Sequence, residues 1–523
     1  MTVKEELKSY IEQIPKIFSE TGIDVAISKS HTQYIEYSLK SEKSPLKSII
    51  DGDPLSLSVL LENFACDLYI NQSLLEAEKL FEDAFICRRD YMSVNGAYDE
   101  ELLFYLSVAA LGAKRVSELR LTLDEHDISF ESSEKEWPIL VQTNIIKAFL
   151  LLCRKKNGWK DIENAVTLIK TLHELQKEFE KKYLSKMSDM AVTFKITGVG
   201  RLVALYNLAK VIEIVGSYLI TANPANPILK IKKHYDNAVE ALERSGDYSL
   251  EHFSDMLFVG CDALINNSIW YNTQTLGEKA TKLVQELADA GREKPFIELW
   301  PSQQEAMRSS LFDPAKHAVV LQMPTSAGKT LLAEFSIVQS LALNPDNTVV
   351  YVVPTRALVN QTTLQLRRDL GPLGFITEAA VPVFELDPTE NELLRKKCHI
   401  LVSTPEKIEL LMRAKHPIVN TISLIVVDEV HNISDANRGS TLELFLGTVL
   451  REKSGVRFLV MSPFIPNGDE IGSWLGKDRN AQIKVNWKPS ERITAAASYV
   501  GKKANKYIQL KTLLSAHNSD VKE

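Results

Sequence analysis

The stretch "LQMPTSAGKTLLAEF", residues 321–335, constrains this chain more than any other. Val319, Val320 and Leu321 read as a strand, and Gly328-Lys329-Thr330 opens the helix "TLLAEFSIVQSLAL". Four more short β-branched runs follow it: "NTVVYVVPT", "CHILVST", "SLIVVDE" and "VRFLVMS". Each ends in a turn or a polar cluster, and a helix-period stretch follows most of them. Strands that alternate with helices make a mostly parallel sheet covered on both faces. Residues 292–490 are therefore expected to fold as one α/β domain.

Upstream of residue 292 the texture differs. "LSVLLENFACDLYINQSLLEAEKLFEDAFICRR", "EWPILVQTNIIKAFLLLCRKK" and "GRLVALYNLAKVIEIVGSYLI" place apolar residues three and four apart, as in helices that bury one face. Breakers such as "TANPANPILK" fall between these stretches. Residues 1–291 are expected to be a large all-helical domain of stacked hairpins, without a residue-level repeat. A hydrophobic content of 45% and a charged content of 25% are ordinary for a soluble globular protein. The net charge of −7 gives no bulk positive field, although a basic channel can sit on an acidic body. Cys66, Cys87, Cys153, Cys261 and Cys398 lie far apart with no metal-ligand spacing, and read as reduced, buried residues. The start, "MTVKEELKSYIEQIPKIF", lacks the apolar centre of a signal peptide. No run approaches the ~18 apolar residues of a membrane span. The expectation is a cytoplasmic protein with no membrane contact.

The turn between the first strand and its helix suits a phosphate. At a helix N-terminus the backbone N–H groups of Ser326, Ala327, Gly328, Lys329 and Thr330 point outward and favour an anion. Lys329 would reach the β- and γ-phosphates, and the Thr330 hydroxyl would ligand Mg2+. The usual first glycine of G-x-x-x-x-G-K-T is Met323 here, and a bare GKT also fits a plain helix entrance. "LIVVDEVH" narrows the choice, because its strand ends in the carboxylates Asp428 and Glu429. A solvated loop explains such a pair on its own. Coupled to GKT, Asp428 would hold Mg2+ through water and Glu429 would position an attacking water. Open parallel sheets bind ligands at the carboxyl ends of their strands, where both motifs fall. ATP and Mg2+ are the expected ligands.

The order of motifs over residues 296–490 resembles the first RecA-like domain of superfamily-two DExH-box helicases, especially the Ski-like branch. "LWPSQQEAM" resembles the segment ahead of the P-loop, where the resemblance implies that Gln303 reads adenine. "MPTSAGKT" resembles motif I of that branch, which adds Thr325 to the cradle and tolerates Met323. "VVPTRALVNQ" resembles motif Ia, "VSTPEKIELL" motif Ib and "DEVH" motif II, whose His431 is implied to link the nucleotide site to motif III. "VMSPFIPNGDEIGSWLG" sits where the branch carries its Ser-Ala-Thr segment. Ser462 is kept, but Pro463 and Phe464 replace the Ala and Thr, which puts the coupling of ATP turnover to strand movement in question. Motif Ia offers Pro354, Thr355 and Arg356; motif Ib offers Ser403, Thr404, Pro405, Glu406 and Lys407. Hydroxyls, a cation and a helix N-terminus suit a phosphodiester backbone read without base contacts. Thr404-Pro405 reads equally as a helix cap, and the two readings are compatible.

In this superfamily a second RecA-like domain supplies arginines, an effect worth ~10³–10⁵ in rate for arginine fingers. No Q-x-x-G-R-x-x-R stretch follows Glu429; Arg438, Arg451, Arg457, Arg479 and Arg492 are isolated. Residues 491–523, with a helix-like "KKANKYIQLKTLLSAH", are expected to bridge toward that missing domain. The expected activity is that of an ATP-hydrolysing helicase or translocase, poorly active as this portion alone; the residues leave DNA and RNA open, and DNA is favoured by the likeness that follows. A long helical region ahead of such a core is similar to helicase subunits of antiphage systems of the Hachiman type. The helical domain would then dock an effector protein or the missing helicase half. The rival is a nucleotide-binding scaffold or sensor that docks an effector without unwinding.

Overall fold

The computed structural model describes residues 54–487 apart from 127, 129–135, 157–158, 188–190, 290, 293–294, 326, 381–396, 435–438 and 454. It also describes the backbone of 494–500 and 507–513 and a few positions between 13 and 28. The chain forms two compact units that divide between Ile265 and Asn266, the second ending at Lys488.

The first unit is helical: α1 (Pro54–Ile70), α2 (Leu74–Asn95), α3 (Glu100–Gly112), α4 (Val116–Asp124), α5 (Trp137–Arg154), α6 (Trp159–Lys186), α7 (Val192–Thr221) and α8 (Pro227–Ser245), with α9 (Glu251–Asn267) running to the division. α8 shows how the spacing works: Ile231, Tyr235, Ala238 and Leu242 fall on one stripe, and all four are buried. A buried pair ties α1 to α2, where Arg88 donates from Nε and Nη2 to the two oxygens of Glu62 at 2.6 and 2.7 Å. All five cysteines are free thiols and buried, as expected. The expectation that no run approaches a membrane span fails at α7. By length and composition this helix is long and apolar enough to cross one, and 61% of its apolar 18-residue stretch is buried inside the protein.

The second unit begins ahead of the change in texture at residue 292. α10 (Ile269–Thr273) and α11 (Glu278–Leu287) precede α12 (Pro301–Arg308), and Ala280, Leu283, Val284 and Leu287 of α11 join the core of the sheet. Their three- and four-residue spacing matches that of the helices before them, so the sequence carries no mark of the division. Seven strands follow: β1 (Ala318–Gln322), β2 (Thr348–Val352), β3 (Thr377–Ala380), β4 (Ile400–Ser403), β5 (Ile422–Val427), β6 (Arg457–Ser462) and β7 (Asn480–Lys484). Their order is β3-β4-β2-β5-β6-β1-β7, every pairing parallel.

Alternate residues of each strand feed opposite faces. Val319, Leu321, Val349, Tyr351, Val426 and Met461 pack with α13 (Lys329–Leu343) and α14 (Arg356–Leu370). Val320, Val350, Val352, Ile425, Val427 and Val460 pack with α15 (Pro405–Arg413), α16 (Gly439–Glu452) and α17 (Gly468–Gly476). The expected parallel sheet with two covered faces is present. One segment differs: Tyr507–Leu513, expected as part of a helix, is strand β9, antiparallel to β8 (Thr494–Val500). Ile508, Leu510 and Thr512 alternate with Gln509 and Lys511, which is a strand period.

Candidate functional site

The sheet order places the motifs side by side along one edge. Neighbouring strands β4, β2, β5, β6 and β1 carry at their carboxyl ends, in turn, Ser403-Thr404, Pro354-Thr355-Arg356, Asp428-Glu429, Ser462, and the turn leading to Lys329. Asp428 and Glu429 therefore stand between the loops expected to hold nucleic acid and the turn expected to hold phosphate.

The turn is built around one left-handed residue, Gly328 at φ 86°. The backbone demands glycine there, and a Cβ would lie 2.1 Å from Gln303 Nε2, so the glutamine would also have to move. Gln303 is buried, accepts from the Trp300 N–H at 2.8 Å and donates to the Gly328 carbonyl at 3.2 Å. Ser302 donates to the Ala327 carbonyl at 3.2 Å. Both residues brace the turn from α12. Met323 needs no glycine geometry: its φ is not positive, its amide donates to the Ser462 carbonyl at 3.0 Å, and its side chain is core. Lys329 folds back to donate to the carbonyls of Met323 and Pro324 at 3.2 and 3.4 Å. Burial pulls this lysine below its usual range, and the charges of Glu429 and Asp428 push the other way. Thr325 is exposed, Thr330 half-buried and Ala327 buried, while Ser326 lies outside the described residues.

Asp428 is held at both oxygens. Its Oδ1 accepts from the Glu429 N–H at 2.9 Å and its Oδ2 from the Tyr351 hydroxyl at 3.3 Å. Burial raises the Asp428 carboxyl above its usual range, the neighbouring Glu429 charge adds to that, and Lys329 opposes it. A carboxylate so placed gains from a cation, and with the Thr330 hydroxyl it offers oxygen donors suited to a hard divalent ion. Among the described residues no group of three or more His, Cys, Asp or Glu could hold a metal. An ion here would complete its shell with water and phosphate oxygens, as Mg2+ does.

His431 links this pair to β6. Its Nδ1 lies 3.0 Å from Ser462 Oγ and 3.2 Å from Glu429 Oε2. Ser462 spends its one hydroxyl hydrogen on the Phe464 carbonyl at 3.1 Å, so Nδ1 carries the proton and donates. The Phe464 substitution thus leaves the histidine–serine connection in place.

The residues expected to meet nucleic acid divide. Arg356 is exposed at the start of α14, where Thr355 caps the helix by accepting from the Leu358 N–H at 3.4 Å. Pro354 is half-buried and Glu406 exposed. Ser403 and Pro405 are buried, and the Ser403 hydroxyl lies 3.4 and 3.2 Å from the carbonyls of Ala380 and Thr404, either of which can take its one hydrogen. Thr404 stands at the N-cap of α15 without making the side-chain cap bond, so that part of the cap reading fails. Lys407 is 1% exposed, which removes it as a strand-facing cation. It shares the buried stripe of α15 with Ile408, Leu411 and Met412, a position its four-residue spacing to Leu411 could have revealed. Pro354, Pro405, Glu406, Asp428 and Glu429 line one small cleft, so the ends of β2, β4 and β5 converge. Sequence reasoning missed Tyr351, and it missed the stack of Trp300 on Trp487, whose centroids are 5.6 Å apart. The signal for Tyr351 was the one polar group among the valines of "VVYVV".

Residues 300–468 match the DEAD/DEAH box helicase family. The chain is 33% identical over 215 residues to the ATP-dependent DNA helicase Hel308 of Methanocaldococcus jannaschii, covering 40% of this chain and 17% of that protein. It is 28% identical over 208 residues to the Hachiman protein HamB of Bacillus cereus, covering 39% of this chain and 18% of that protein. These matches span under a fifth of either relative's length. Among solved structures, the DUF1998 helicase MrfA bound to DNA is 21% identical with a TM-score of 0.33, covering 40% of this chain and 30% of that one. The fold itself rests on the strand order above.

Proposed function

We propose that this chain, whose residues 300–468 form a DEAD/DEAH box helicase domain, is the ATP-hydrolysing part of a DNA helicase or translocase acting in antiphage defence. The observation that carries the reading is the strand order, which sets the ends of β5 and β1 on either side of β6, so that Asp428 and Glu429 share one edge of the sheet with the turn leading to Lys329. The amides of the turn from Thr325 to Thr330 bind the phosphates, and Lys329 exchanges the carbonyls of Met323 and Pro324 for phosphate oxygens. Thr330 and Asp428 would hold Mg2+, which when bound neutralises charge on the phosphates. Glu429 orients the attacking water. Arg356, with the N-terminal amides of α14 and α15, grips a phosphodiester backbone without reading bases. The His431–Ser462 hydrogen bond carries the state of the acidic pair to β6.

The likeness to a DNA helicase and to HamB supports DNA as substrate and a defence role. The helical unit is proposed to dock an effector protein or a further helicase half, in the cytoplasm. The buried Lys407 favours the scaffold reading, since it removes one of the cations offered to a strand.

Phosphate release and nucleotide-induced thermal shift, each with and without single-stranded DNA, test the proposal. Lys329→Ala should abolish the nucleotide shift. Arg356→Ala should preserve it while weakening DNA binding across all sequences and lowering the salt slope by about 1. Nucleotide binding with no DNA binding at low salt would select the scaffold; no nucleotide shift in the unaltered chain would end both readings.

A further inference from the structure

We infer that Tyr351 is a positioning residue for Asp428, its hydroxyl fixing the orientation in which that carboxylate meets a divalent cation. This rests on the nucleotide-site reading above. Tyr351 lies in the middle of the sheet, opposite Val402 on β4 and Val426 on β5, and is fully buried. Its neighbours in sequence are Val349, Val350, Val352 and Val353, so phenylalanine would serve the packing equally well. A hydroxyl in such surroundings is costly unless it finds an acceptor. The acceptor is Asp428 Oδ2 at 3.3 Å.

The register explains the meeting. Asp428 lies two residues beyond Val426, on the same face of β5, and its N–H donates to the Val352 carbonyl at 2.9 Å. Reaching toward the carboxyl ends of the strands, the phenol arrives at Asp428 from below. The Glu429 amide holds Oδ1 and the phenol holds Oδ2, leaving the outward lone pairs for a cation. Without the phenol, the amide alone would orient a carboxylate that also faces the Glu429 charge. Outer partners of metal ligands act in this way.

The test uses the full chain and Tyr351→Phe, which removes one oxygen. Thermal shift by fluorescent ADP is followed while MgCl2 is titrated, with an EDTA control. The Mg2+ midpoint should rise about tenfold or more in the variant, while ADP binding in EDTA and the melting temperature without nucleotide stay near the unaltered values. A midpoint within twofold overturns the inference. Asp428→Asn, alone and combined with Tyr351→Phe, separates positioning from packing: the second change should add nothing once the carboxylate is gone. Additive losses also overturn the inference. If the unaltered chain shows no Mg2+-dependent shift, the nucleotide-site reading itself fails, before any variant is compared.

Discussion

Met323 occupies the place where a phosphate-binding turn usually has its first glycine, and the reason it can is local. Its backbone is not left-handed, its amide bonds to β6, and its side chain fills the core under the sheet. Among the described residues of the turn, Gly328 alone has a positive φ, which a side chain would strain. Restoring the consensus should therefore do harm. Met323→Gly deletes a fully buried side chain and adds backbone freedom, and should cost about 3–5 kcal/mol by urea denaturation, with no gain in nucleotide affinity. Tighter nucleotide binding without loss of stability would show that Met323 is tolerated at the expense of the site. The residues legible in sequence were those whose chemistry is unusual for their setting: Lys329 after glycine, and two acids ending an apolar strand. Lys407 misled because a lysine beside a helix start looks like a phosphate contact until its helical phase is counted. Tyr351 went unread because a tyrosine in a strand is ordinary packing by composition alone.

At the scale of elements, close helix packing depends on which glycines face a neighbour. On α7, a Cβ at Gly200 would lie 2.2 Å from Ser245 Oγ and 2.8 Å from the Ala241 carbonyl of α8. The first atom can turn aside, but the backbone carbonyl cannot. On α16, a Cβ at Gly447 would meet only Trp474 Cζ2, at an ordinary 3.8 Å. The same substitution should then act with opposite sign. Gly200→Ala should destabilise by about 1–3 kcal/mol, because the helices must part. Gly447→Ala should stabilise by about 0.5–1 kcal/mol, from helix propensity and a less free unfolded chain. Thermal melts of the two variants decide it, and equal signs would refute the packing at Gly200. The five inner strands were legible as β-branched runs because burial on both faces leaves no room for polar residues. The edge strands, "TEAA" of β3 and "NAQIK" of β7, were not among the runs picked out, because an edge needs little apolar character.

For the molecule as a whole, stability should depend on pH through a carboxyl outside the nucleotide site. Glu334 on α13 is buried, and burial, followed by the nearby Asp369 charge, pushes it from 4.5 up to about 8. Gln365 donates to its Oε1 at 3.0 Å, and Arg368 and Arg292 also face it. Asp369 goes the other way: burial raises it, but hydrogen bonds from Arg368 and Arg292 win and hold it below its usual range. The two groups act in separate windows. Asp369 contributes stability that is present above its unfolded value of 3.8 and lost as pH falls through its lower folded value. Glu334 binds its proton more tightly when folded, so its contribution is full below 4.5 and drains away as pH rises toward about 8. Glu334→Gln keeps an acceptor for Gln365 and removes the titration. The variant should match the unaltered chain near pH 5 and melt progressively higher than it between pH 5 and 8, in the transition that nucleotide shifts. A gap that stays constant across that range would mean that Glu334 is ionised in the folded protein, and that the two arginines, rather than a proton, neutralise it.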